Sequence, residues 1–199
     1  MKHPFFDSLA EHWDEMQDLP MLSERIKKFF AAIGMSKNEH VMDLGCGTGN
    51  VTRELLDWLG PNGRVTAVDI SDQMIEIAKS KIQDPRLSWC CADVVQTGLS
   101  DASFDRVICY SAWPHFTDPI GTLKELSRML KSHGEISILH FISRDAVNEI
   151  HIHVKDPAIH SHLLLPVDEL AKLFAENGFE IIQKIDTDTE YLLQARKSK

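Results

Sequence analysis

Val41-Met42-Asp43-Leu44-Gly45-Cys46-Gly47-Thr48-Gly49 decides the fold: a short apolar run stops at a glycine-rich turn, and the chain then reads as a helix over 50–59. A strand that ends in such a turn and reopens as a helix brings backbone N–H groups close to a ligand, because glycine tolerates positive φ and carries no side chain to block the approach. The same alternation repeats downstream. RVTAVD (64–69) precedes a helical stretch over 72–82, and LSWCCAD (87–93) follows it. FDRVICY (104–110) precedes another over 119–131, and EISILHF (135–141) closes the series. Strands alternating with helices form parallel βαβ units with helices on both faces of one sheet. The tail breaks that rhythm. A helix over 167–177 leads to EIIQKID (180–186), and the polar turn Thr187-Asp188-Thr189 leads straight into EYLLQAR (190–196). So short a connection requires an antiparallel hairpin. The expected fold is α/β: a doubly wound, mostly parallel seven-stranded sheet with an antiparallel C-terminal strand.

Upstream of the loop, Pro4 opens a first helix through about Met16, and Ser23 caps a second in which Ile26, Phe29, Phe30 and Ile33 recur at helical spacing before Gly34 ends it. These N-terminal helices (1–39) belong to one domain spanning 1–199, since 199 residues with 43% hydrophobic content suit one sizeable core. A net charge of −9 offers no footprint for a polyphosphate or an anionic membrane, so no nucleic acid and no membrane is expected as partner. A small-molecule substrate fits better, acted on by a monomer or homodimer. Met1 to Met16 has no apolar core run and no later stretch is long enough to span a bilayer, which predicts a cytoplasmic protein. Cys46, Cys90, Cys91 and Cys109 lack C-x-x-C spacing and read as reduced, buried thiols.

The loop spacing is G-x-G-x-G. A dinucleotide fingerprint, G-x-G-x-x-G, needs its third glycine where this chain has Asn50, which disfavours the alternative of an NAD(P)-dependent oxidoreductase. Asp69 ends the next strand about 20 residues after the loop, where a carboxylate accepts both ribose hydroxyls of an adenosine. Ser71 already suits the N-cap of the following helix, which leaves Asp69 for that task. Asp93 ends the third strand at the same carboxyl edge and can take the exocyclic amine of adenine.

Together these residues resemble the class I S-adenosylmethionine-dependent methyltransferases, above all the small-molecule branch that includes quinone-biosynthesis enzymes. The resemblance covers roughly 40–140 closely, and the terminal helix and hairpin fit the family's antiparallel last strand. It implies S-adenosyl-L-methionine as cofactor, with Gly45, Gly47 and Gly49 bordering its methionine part, Asp69 on the ribose and Asp93 with Val94 flanking the adenine. Asp43, Leu44, Cys46, Ile70, Met74 and Tyr110 complete the expected cofactor set. FDRVI (104–108) resembles the family's fourth strand, and LSRMLKSHG (126–134) its helix-to-fifth-strand segment, with Ser132-His133 where Pro-Gly is common. After the fourth strand comes CYSAWPHF, not the Asn/Asp-Pro-Pro-Tyr signature of methylases acting on adenine or glutamine amino groups.

Methyl transfer from a sulfonium is a direct displacement, so alignment in a dry pocket dominates, and a base is needed only when the acceptor must lose a proton. Trp113, His115 and Phe116 follow the fourth strand, while His140 and Phe141 end the fifth; His140 and His115 are the candidate catalytic residues. Trp113, His115, Phe116, His140 and His151 are the candidate substrate-binding set. Five of the ten histidines, His140, His151, His153, His160 and His162, fall between the fifth strand and the helix beginning near Val167. Ser143 followed by Arg144 to Val154 reads as helix, which splits His151 from His153 by about 200° and argues against a shared ion. No metal is therefore expected, and the inserted segment 143–166 is expected to form a lid over the acceptor. A non-catalytic module that senses cofactor or metal is the rival from another class.

Overall fold

The computed structural model describes residues 4–154, 156–157 and 159–198. Met1 to His3 of the expected N-terminal stretch 1–39, Lys155 and Ala158 of the expected lid, and Lys199 lie outside the described residues. The chain divides into two compact units, Met1–Gly98 and Leu99–Lys199.

In the first unit, strands β1 (His40–Leu44), β2 (Arg64–Asp69) and β3 (Leu87–Cys91) run parallel in the order β3-β2-β1, with Val41 opposite Val65 and Val65 opposite Leu87. Val41, Met42, Asp43 and Leu44 are all buried, which is why β1 reads as a continuous run rather than an alternating one. Helices α1 (Pro4–Leu9), α2 (Leu19–Ala32), α3 (Asn50–Trp58) and α4 (Asp72–Lys81) complete the unit. Two boundaries differ from the expectation. The first helix stops at Leu9, and two 3-10 turns, Ala10–His12 and Asp14–Met16, replace its second half. Asp14 is thereby freed to accept bonds from elsewhere in the unit, described below. The cap of α2 is Asp18, whose carboxylate accepts the Met21 N–H at 3.0 Å with Pro20 in the first turn; Ser23 lies a turn inside. An aspartate ahead of a proline outcompetes a serine further along, because proline fits only the turn where its missing N–H costs nothing. Arg86 binds the carbonyls of Leu56, Leu59 and Gly60, closing the C-terminal end of α3.

The second unit holds β4 (Phe104–Tyr110), α5 (Pro119–Met129), β5 (Leu130–His140), α6 (Arg144–His153), α7 (Val167–Glu176), β6 (Phe179–Asp186) and β7 (Tyr191–Lys197). Its strand order is β4-β5-β7-β6; β4 and β5 are parallel, while β7 runs antiparallel to both β5 and β6. The hairpin closes where the Thr187 N–H meets the Glu190 carbonyl at 3.0 Å. Strand β5 starts five residues before the expected EISILHF run, at Leu130, and accommodates the extra length at His133 (φ +62). The seven strands form the doubly wound, mostly parallel α/β arrangement with antiparallel C-terminal strands. Of the cysteines expected to be buried, Cys46 and Cys109 are; Cys90 is half-buried and Cys91 exposed. Strand β3 buries none of its residues fully, so apolar neighbours in sequence do not guarantee burial there.

Candidate functional site

The glycine loop is built by backbone demand. Gly45, Gly47 and Gly49 have φ of +74, +52 and +87, values that other residues adopt at a cost. The Gly45 and Cys46 N–H groups both bond to the Val68 carbonyl, at 2.8 and 3.0 Å, tying the loop to the end of β2. Gly49 is the left-handed N-cap of α3, and a Cβ there would meet Ile82 at 2.8 Å and Ala78 at 3.3 Å. The close-packing duty that a dinucleotide fingerprint assigns one residue later falls on Gly49 itself.

Asp69 stands at the C-terminal end of β2, as expected. Its Oδ2 accepts the Gly47 N–H at 2.8 Å and its Oδ1 the Ser71 N–H at 2.9 Å. Ser71 caps α4 by accepting the Met74 N–H at 3.1 Å, and its own hydroxyl donates to Asp7 at 2.6 Å. Met74 is buried in α4, and Ile70 lies half-buried between Asp69 and Ser71. Asp43 is 1% exposed and accepts the Thr52 hydroxyl at 2.5 Å, so it fastens α3 to β1. Burial, and secondarily the charge of Asp69, push its carboxyl up to about 7 despite the Thr52 bond. Burial, with Asp69 and Asp43 beside it, likewise drives the Cys46 thiol well above its usual range, which leaves it unreactive. Leu44 is buried in β1. Asp93 lies two residues beyond the end of β3, where its carboxylate caps the turn Val94–Gln96 by accepting the Val95 N–H at 3.1 Å; Val94 is buried.

Sequence reasoning missed the N-terminal segment. Asp14 accepts the Thr48 hydroxyl at 2.6 Å, the Asn50 amide at 2.9 Å and the Lys81 ammonium at 2.6 Å. Burial alone would raise its carboxyl, but the bonds from Lys81, Thr48 and Asn50 outweigh it and hold the group below its ordinary value. The Trp13 indole nitrogen sits 3.5 Å from where a Cβ on Gly47 would be. Residues 13 and 14 therefore lie directly against the loop. No motif marks them; their partners stand 34 or more positions away.

In the second unit the histidines gather. His115 ends a 3-10 turn, Trp113–His115, and its Nδ1 is 3.2 Å from the Nδ1 of His162. The His115 and His151 ring centroids are 4.8 Å apart, and His151, buried on α6, bonds through Nδ1 to the His162 carbonyl. His140 ends β5 at 2% exposure, and its Nε2 is buried without a hydrogen-bond partner among the described residues. Burial, reinforced by nearby His151, drives its pKa down to about 3. It is thus a neutral imidazole that can share a hydrogen bond but not keep a proton at neutral pH. His153 points away from His151 and is exposed, as helical spacing requires. His160 bonds to the Val154 carbonyl at 2.7 Å. Trp113 is buried against Phe116 and Phe174, at 5.6 and 5.2 Å between rings, so its indole serves the core under the turn. Tyr110 packs on Phe141 at 5.2 Å. Among the described residues, no group of three or more histidine, cysteine or carboxylate side chains has the arrangement of a metal site. His162 was counted in the histidine-rich segment but not placed in any expected site. Its only advance signal was that local excess of histidine.

A glycine loop after β1, an acidic residue ending β2 and an antiparallel last strand are the frame of a Rossmann-like α/β fold. Residues 42–138 match the model of a family described as "Methyltransferase domain". A demethylmenaquinone methyltransferase from Lactobacillus johnsonii is 32% identical over 144 residues, 69% of this chain and 59% of that protein. The solved structure of a SAM dependent methyltransferase from Aquifex aeolicus shares the fold with a TM-score of 0.72 at 18% identity, covering 86% of this chain and 89% of that one. A phosphoethanolamine N-methyltransferase 2 from Haemonchus contortus, solved with S-adenosyl-L-methionine, does so with a TM-score of 0.69 at 16% identity, over 89% and 52%. On this match residues 42–138 form a methyltransferase domain, and the chain is similar to S-adenosylmethionine-dependent methyltransferases. It spans about three-fifths of the length of the curated relatives it matches. No helix among the described residues is long and apolar enough to cross a membrane.

Proposed function

We propose that this chain transfers a methyl group from S-adenosyl-L-methionine to a small-molecule acceptor. The observation that carries this reading is the bond of 2.8 Å between the Gly47 N–H and the Asp69 carboxylate, which locks a glycine-rich loop and an acidic strand end into one surface. The residues fit the cofactor: positive φ at Gly45 and Gly47 keeps the loop open, and Asp69 presents at the strand end a carboxylate, the group that accepts from ribose hydroxyls. Asp43, Leu44, Cys46, Gly49, Ile70 and Met74 support that surface from behind. Asp93 and Val94 shape the adenine end, and Tyr110 completes the cofactor set. The bound cofactor supplies a methyl group already activated on a sulfonium, so the protein's remaining work is to orient the acceptor, exclude water and take its proton.

His115 is the base in this reading, because it is half-exposed and hydrogen-bonded to a second imidazole. His140, kept neutral, orients the acceptor through its unpaired Nε2, with His151 and Phe116 beside it and Trp113 bracing the turn from beneath. The net charge of −9 supports a substrate other than nucleic acid or an anionic membrane surface, for an enzyme acting in the cytoplasm as a monomer or homodimer. Segment 143–166 serves as the lid of the acceptor pocket.

Isothermal calorimetry with S-adenosylhomocysteine tests the reading. Asp69→Ala forfeits charged hydrogen bonds worth about 1.5–3 kcal/mol each, so binding should weaken at least tenfold. Unchanged affinity in the folded variant would remove Asp69 from the site. Incubation with methyl-labelled cofactor and a panel of hydroquinone, thiol and amine acceptors then identifies the acceptor atom.

A further inference from the structure

The reading above needs a proton acceptor for the methyl acceptor, and one imidazole of the second unit is built into a pair. The Nδ1 atoms of His115 and His162 are 3.2 Å apart, a separation at which one ring must donate a proton and the other receive it. The pair is held from both sides. His115 belongs to the short turn at the carboxyl end of parallel strand β4, where open α/β sheets present their ligand-facing residues. His162 sits in the connection between α6 and α7, and its backbone carbonyl is fixed by the buried His151 ring. His151 also packs on His115 itself, with centroids 4.8 Å apart. Both members of the pair are half-buried, so neither is sealed from water.

We propose that His162 is the positioning partner of His115 and that the two share one proton through their Nδ1 atoms during acceptor deprotonation. The resting pair has Nδ1–H on His115, donated to the unprotonated Nδ1 of His162, which makes Nε2 the proton-accepting nitrogen of the His115 ring. As the acceptor atom forms its bond to the methyl carbon, the carbon–sulfur bond breaks and its electron pair stays on the neutral thioether. The acceptor's proton passes to His115 Nε2, the Nδ1 proton of His115 passes to His162, and the positive charge that left the sulfonium ends on the His162 imidazolium. Water then takes the proton from His162. Among the described residues, titratable groups near the pair include His151 on α6 and, beyond it, His140 at the end of β5 with the Tyr191 ring of β7 against it, 6.0 Å between centroids. His140 stays neutral under the conditions of turnover, so the pair is where charge can be stored.

The test uses the full chain, labelled with nitrogen-15 in its histidine rings, and follows His115 and His162 by nuclear magnetic resonance across pH. His115→Gln and His162→Gln assign the signals. The pair should show opposite tautomers at neutral pH and titrate in two steps separated by more than about one pH unit, because a second charge on coupled rings is disfavoured. In His162→Asn the amide oxygen replaces the accepting Nδ1 but cannot take a proton; His115 should keep its Nδ1–H and titrate in a single step. Two independent, ordinary titrations in the unmodified protein, unaffected by either variant, would overturn the pair. So would a stoichiometric transition metal in protein purified without a histidine tag. S-adenosylhomocysteine calorimetry separates the two levels: normal binding with independent titrations sinks the pair alone, and absent binding sinks the methyl-transfer reading beneath it.

Discussion

Asp43 and His140 are buried titratable groups whose protonation pulls stability in opposite directions. The folded pKa of Asp43 is raised from 3.8 to about 7, so its contribution is fully present below pH 3.8 and is lost as pH rises through 7. The folded pKa of His140 is lowered from 6.5 to about 3, so its contribution is present above pH 6.5 and is lost as pH falls toward 3. Each has a limiting slope of about 1.4 kcal/mol per pH unit, and between roughly pH 4 and 6.5 the two slopes offset. The unmodified protein should therefore change little in stability across that window on their account. Asp43→Asn should unmask a loss on acidification, and His140→Gln a loss as pH rises. Urea midpoints at a series of pH values check this; parallel curves for all three proteins would contradict it. Asp43 was legible as a residue of the site because it lies in the strand run just before the glycines. Its ionisation was not, since that depends on complete burial and on Asp69, which lies 26 positions away in the chain.

At the scale of elements, strand β5 is fastened through Glu135. Its carboxylate receives Arg106 of β4 at 2.7 Å, and Gln194 and Arg196 of β7 at 3.1 and 2.8 Å. Burial alone would raise its pKa; the bonds from Arg196 and Arg106 bring it below the usual value. Arg106 has only 8% of its side chain exposed, so Glu135→Ala removes the carboxylate of a buried ion pair and should cost about 3 kcal/mol in a urea unfolding experiment. A loss below about 0.5 kcal/mol would show the network to be dispensable. Helix α6 invites another test. The Asn148 amide donates to the Leu164 carbonyl at 3.1 Å, and its oxygen accepts the Leu164 N–H at 2.7 Å, which folds the segment back on its helix. As a lid, 143–166 should exchange amide hydrogens more slowly with cofactor and acceptor both present, and equal exchange would remove the lid. The helix was readable from Ser143 onward, because a serine cap and an uninterrupted run are local signals. The pairing of His162 with His115 was not, because two histidines 47 positions apart leave no periodic trace in a sequence.

For the whole molecule, the alternation of strands and helices and the closing hairpin were legible from end to end, since each step is written in local periodicity and turn chemistry. The N-terminal segment was the exception. It was read as helix to Met16, whereas the chain breaks at Leu9 and spends its next residues on the loop after β1. That arrangement bears on timing. With Asp14 bonded to Thr48, Asn50 and Lys81, a molecule seated on the glycine loop would have to wait for those bonds to part before leaving, so its dwell time reports on residues that need never touch it. The Lys81 contact is partly exposed and weakens with ionic strength, so stopped-flow release of S-adenosylhomocysteine should quicken as salt is added. Asp14→Asn should release it faster still and lose most of the salt effect. An off-rate indifferent to both salt and substitution would mean that the segment rests on the loop without guarding it.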